Sequence, residues 1–189
     1  MADAKPAFDL TLWHRLESYE IGPEGAALSF ADRLARENRW SVDYAARVIR
    51  EYKRFCYLAR TAGHEVTPSD QVDQAWHLHL TYSRDYWDRF CPEILGAPLH
   101  HGPTAGGQTE KARYFEQYAQ TLKSYEEAFC ELPPADIWSP ASLRFGKHPR
   151  AFRVNPEDVI FFKEKRGIVL MLAVIAALLV LGFVLGRIT

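Results

Sequence analysis

Apolar residues recur at helical spacing along most of the chain. Leu10, Trp13, Leu16 and Tyr19 mark a first helix, which Gly22-Pro23 breaks. Phe30, Leu34 and Ala35 mark a shorter second one that stops near Asn38. Ser41 suits the N-cap of a third, whose stripe of Val42, Ala45, Val48, Ile49, Tyr52, Phe55, Cys56 and Ala59 closes at Gly63. For the fourth, Thr67 can cap, Pro68 suits the first helical position and Asp70 completes a capping box. That helix is expected to run to about Phe90, because Pro92 lies just beyond. A loop rich in proline and glycine then spans 96–107, and a fifth helix from about Thr109 to Cys130 turns Tyr114, Phe115, Tyr118, Leu122 and Tyr125 inward. Beyond Pro133-Pro134 the pattern is irregular. Trp138, Phe145 and Phe152 are expected to pin this tail to the helices, with a short strand at 150–154.

The C-terminus changes character. Gly167 to Gly186 is a run of 20 residues without a charge, long enough as a helix to cross a hydrocarbon core of about 30 Å. Lys163, Lys165 and Arg166 precede the run and Arg187 follows it, so the basic excess predicts a single-pass membrane protein with its folded domain in the cytoplasm. Asp3, Asp9, Glu17 and Glu20 interrupt the first 25 residues, which therefore do not read as a signal peptide. Within the span, Gly182 and Gly186 make a small-xxx-small pair suited to weak homodimerisation. The expected organisation is a lead-in with the first helix (1–24), a helical domain (25–155), a basic linker (156–166) and a transmembrane helix (167–186). The fold class is all-α: a compact multi-helix domain with an irregular C-terminal segment, plus that one span.

Composition adds two limits. The 189 residues are 48% hydrophobic, enough for a real core, and their net charge of −1 excludes nucleic acid as the expected partner. Three cysteines, Cys56, Cys91 and Cys130, form an odd and widely spaced set that suits free thiols.

Candidate chemistry gathers between Asp73 and His101, where four of the seven histidines lie. On a helical wheel His77 and His79 point about 160° apart, so one ion cannot take both. His79 falls among Val72, Ala75, Trp76, Tyr86 and Phe90 and reads as a buried neutral imidazole that needs partners from another helix. His77 shares the other face with Asp73, one turn earlier. If the following loop folds back, either His100 or His101 joins them, giving three ligands and an open position suited to zinc or iron. Cys91 has no CxxC partner and reads as a packing residue. Gly102 to Thr109 is close to a phosphate-binding loop, but Gln108 stands where the lysine belongs.

The string Val72-Asp73-Gln74-Ala75-Trp76-His77-Leu78-His79-Leu80, followed by Tyr86, Cys91, Gly96 and His100, resembles the glycine-rich domain-containing protein family over roughly residues 25–155. Bacterial members are similar also at 99–104, 133–138 and 144–146. The resemblance makes Trp76, His79, Tyr86 and Cys91 motif residues, and it implies a link with stress responses and growth, as in plant members, rather than a defined reaction. The chain has no glycine-rich tail. Two readings of function remain open: a membrane-tethered cytosolic helical module that binds a protein or small ligand, and a metal-dependent enzyme, of hydrolase or oxygenase type, using Asp73, His77 and a loop histidine.

Overall fold

The computed structural model describes residues 8–102, 106–146 and 169–178. The chain divides into two compact units, residues 1–150 and 151–189. In the first, the helices are α1 (Leu10–Ser18), α2 (Phe30–Asn38), α3 (Val42–Thr61), α4 (Asp70–Thr81), a π-helix (Asp85–Leu95), α5 (Gln108–Phe129) and the short α6 (Ala141–Gly146). No strand occurs among the described residues; the strand expected at 150–154 lies outside them.

Side-chain caps set most of the helix starts. Asp9, Ser29, Ser41 and Ser69 each accept a hydrogen bond from a backbone N–H in the first turn, satisfying donors that have no partner within the helix. Ser69, rather than Thr67, therefore caps α4. The Thr67 backbone N–H instead donates to the Thr121 hydroxyl at 3.0 Å and ties this entry to α5.

α3 is the hub, packing against α1, α2, α4, the π-helix and α5. Ala45, Val48, Tyr52, Phe55 and Cys56 form its buried stripe, with Tyr57 and Leu58 buried beside them. The hub also buries a charge network that apolar periodicity cannot signal. Glu51 and Arg54 face each other at 3.4 Å; the Trp138 indole N–H donates to Glu51 at 2.9 Å, and Arg54 also bonds the Tyr125 hydroxyl and Glu131. These bonds pin the segment after α5 to the core, because a buried charge left unpaired costs several kcal/mol. Leu10, expected in the core, is exposed, and Leu12 takes its place beside Leu16.

The fourth helix does not run on to Phe90. Tyr82 leaves helical geometry with φ −84° and ψ 54°, and the chain resumes as the π-helix, which contains Pro92 and ends at Gly96 with φ +75°. The break lets Trp76 reach Tyr86. Trp76 Nε1 donates to the Tyr86 hydroxyl at 2.9 Å, whereas ten residues of straight helix would separate the two by about 15 Å along the axis.

The C-terminal expectation is overturned. Residues 169–178 are helical, and the rest of the expected span lies outside the described residues. Among the described residues no helix is long and apolar enough to cross a membrane. The single-pass placement, the cytoplasmic assignment and the membrane as partner all rested on that span and fall with it. Gly167, Gly182 and Gly186, with the dimer contact expected of the last two, lie outside the described residues.

Candidate metal centre and its cavity

The cap at Ser69 sets the register of α4, so that Asp73 and His77 stand one turn apart on its partly open face. Asp73 Oδ2 lies 3.7 Å from His77 Nε2. The third group arrives from the loop after the π-helix. Tyr86, wholly buried, takes the Trp76 indole N–H and donates its own O–H to the Leu99 carbonyl at 2.5 Å. Two residues later, His101 Nε2 donates to Asp73 Oδ1 at 2.9 Å. The His101 ring stands edge-on to Trp76 and His77, with centroids 4.5 and 4.3 Å away.

One ligand atom from each of Asp73, His77 and His101 lies within 4.8 Å of the others. A tetrahedral ion with bonds of 2.0–2.1 Å holds its ligands about 3.3 Å apart, so small side-chain rotations bring these three into range. Asp73 and His101 are about four-fifths buried, whereas His77 is 56% exposed, so the set is half anchored and half open. It lies on the wall of a cavity of about 1260 Å³ between α4, the end of α3, α5 and α6.

His100 is not part of the set: it is exposed and packs its ring on Trp87 at 5.2 Å. His79 is fully buried on the opposite side of α4. Its Nε2 meets Asp85 at 3.0 Å and its Nδ1 meets the Tyr52 hydroxyl at 2.9 Å. Burial pushes its pKa down to about 4, against the opposing pull of Asp85. A neutral ring between those partners donates from Nε2 to the carboxylate and accepts at Nδ1 from Tyr52. Cys91 is buried at the end of the site's support, where its carbonyl accepts from Ala97 N–H at 3.1 Å; burial raises its thiol pKa. It is not a ligand. The glycine loop is no phosphate cradle either, because the Glu110 carboxylate accepts from Gly106 N–H at 2.5 Å. Sequence reasoning missed the far wall, notably Lys111 and Arg144. No local pattern links these residues to α4.

A family model, UCP032817-like, matches residues 27–130, which is 104 of the 189 residues and takes in α2 to α5 with all three donors. The chain belongs to the UCP032817-like family. This corrects the resemblance to glycine-rich domain-containing proteins, which rested on a short Trp-His-x-His string and a few scattered segments, and the link with stress responses goes with it. No curated protein and no solved structure matches the chain.

Within the UCP032817-like region, Tyr86 has a testable positioning role. In Tyr86→Phe the ring stays but the tether to Leu99 is lost, so His101 is no longer held over Asp73. Metal affinity is expected to fall about tenfold to a hundredfold, as when a group that orients a ligand is removed. Helical circular dichroism should be unchanged, and equal zinc affinity in the two proteins would refute the role.

Proposed function

We propose that the protein is a metal-dependent enzyme that binds one divalent ion, zinc or ferrous iron, through Asp73, His77 and His101 and acts on a small molecule held in the adjoining cavity. The convergence of these three groups from α4 and the distant loop carries the reading, since a binding module needs no such set. Two imidazoles and one carboxylate are a donor set used by catalytic zinc and by non-haem iron, and three protein ligands leave a position for water or substrate. With zinc, that position supplies an activated water for hydrolysis; with iron, it supplies a site for oxygen chemistry. The protein's own part in this reading is positional. Trp76 and Tyr86 orient His101, the start of α4 fixes Asp73, and the Trp76 ring covers one side of His101.

The 2.9 Å bond between His101 and Asp73 favours a second reading, in which the trio is only a latch that closes the loop. Elemental analysis decides between them. The full chain, purified after exposure to zinc or, without oxygen, to ferrous iron, is expected to retain about one ion per molecule. A folded chain that retains neither is a latch.

A further inference from the structure

The same cavity carries a charge imbalance that the metal site does not explain. Four cationic side chains line it, Arg60, Lys111, Arg113 and Arg144, against two carboxylates, Glu65 and Asp73. Both carboxylates are engaged within the protein. Glu65 accepts from the Gln117 amide at 2.6 Å, and Asp73 accepts from His101 at 2.9 Å. Arg113 meets Glu110 at 3.3 Å, whereas no ion pair forms at Lys111 or Arg60 among the described residues.

Arg144 is the informative one. It comes from α6, and its side chain is only 16% exposed. Its one ionic contact is a long approach of 3.5 Å to Asp70, and its Nε has no hydrogen-bond partner among the described residues. A guanidinium offers five N–H donors, and one so largely removed from water is costly without acceptors. The lining also carries apolar and aromatic side chains, Phe55, Val66, Trp76 and Phe145 among them. An ion held by Asp73, His77 and His101 would add further positive charge. Cavities that concentrate one sign of charge between apolar walls select ligands of the opposite sign.

We infer that the cavity takes an organic anion: an apolar, ring-bearing body with a carboxylate or phosphate that pairs with Arg144 and is drawn in by Lys111. This names the substrate class of the site proposed above and rests on that reading only where the metal supplies a further anchor.

The test measures binding of naphthoate, naphthyl phosphate and the neutral naphthamide to the full chain by titration calorimetry, both after chelation and after zinc loading. At least one of the two anions is expected to bind about tenfold or more tightly than naphthamide, and the tighter of them tells carboxylate from phosphate. Arg144→Gln should remove about tenfold of that preference, with Arg144→Lys retaining part of it. If Arg144→Gln fails to fold, Lys111→Gln on the exposed start of α5 decides, through a several-fold loss and a weaker dependence on salt. Naphthamide binding as tightly as both anions overturns the inference, as does an anion preference untouched by every folded variant. Zinc retained without an anion preference sinks this inference and leaves the metal reading standing. An anion preference in a chain that holds no zinc does the reverse.

Discussion

Replacing Asp73 or His77 by alanine is expected to abolish metal retention at one ion per chain while the helical fold persists. Each supplies one of only three protein donors, so its loss should cost at least as much as the upper end of what orienting groups supply, about a hundredfold in affinity. The structural cost is small by comparison. His77 is 56% exposed and touches Asp73 at 3.7 Å and the His101 ring edge-on at 4.3 Å, so its truncation should change stability by no more than about 1 kcal/mol. Asp73→Ala also removes a carboxylate from the first turn of α4 and the acceptor of His101, which should cost about 1 kcal/mol. His100→Ala is the control: its ring lies on Trp87, outside the donor set, so metal content should match the parent chain. Elemental analysis after gel filtration, paired with thermal melts, separates loss of the ion from loss of the fold. If His77→Ala kept its ion, these three residues would not be the metal centre.

Part of this site is legible in sequence because it is local. Asp73 and His77 are four residues apart in a capped helix, which puts them on one face and turns His79 away to the other. His101 is different. The choice between it and His100 depends on Tyr86 gripping the Leu99 carbonyl, and that grip follows a break in the helix at Tyr82 that also lets Trp76 reach Tyr86. Pro92 signals an end to helical pattern, yet the chain accommodates it inside a π-helix, and the α-helix stops at Tyr82, ten residues before it. Nothing in the residue types of Glu51 and Arg54 signals burial; their partners Trp138, Tyr125 and Glu131 come from far along the chain. The cationic wall formed by Lys111 and Arg144 is equally invisible, since α4, α5 and α6 come to line one cavity only in three dimensions. At the C-terminus the uncharged run suggested a membrane span, and no helix among the described residues is long and apolar enough to be one.

Acidification from pH 6.5 to pH 4 is expected to destabilise the fold through His79. The ring is enclosed by Tyr52 from α3, Tyr19 after α1, Phe30 from α2, and Asp85, Tyr86 and Phe90 from the π-helix. Arg89 lies 3.0 Å from Asp85 and supplies it with a cation, so the imidazole serves there as a hydrogen-bond donor. Burial is the larger influence and holds the folded pKa at about 4, below the ordinary 6.5. Above pH 6.5 the ring is neutral in both the folded and the unfolded chain, and its contribution is fully present. As pH falls from 6.5, the unfolded chain takes up the proton first, and stability drops until the folded ring is protonated near pH 4. The full loss is about 3 kcal/mol, an order-of-magnitude figure for a depression of this size. His79→Gln isolates the effect, because the amide N–H can donate to Asp85 and its carbonyl can accept from Tyr52 without titrating. That variant should begin about 1–3 kcal/mol less stable from imperfect packing but show a flatter stability profile across the window. His79→Ala should be worse at neutral pH, losing about 3 kcal/mol or more, because the Tyr52 hydroxyl and Asp85 each lose a buried partner. Urea unfolding at half-unit pH steps reads both effects; parallel profiles for the parent chain and His79→Gln would place the acid sensitivity elsewhere.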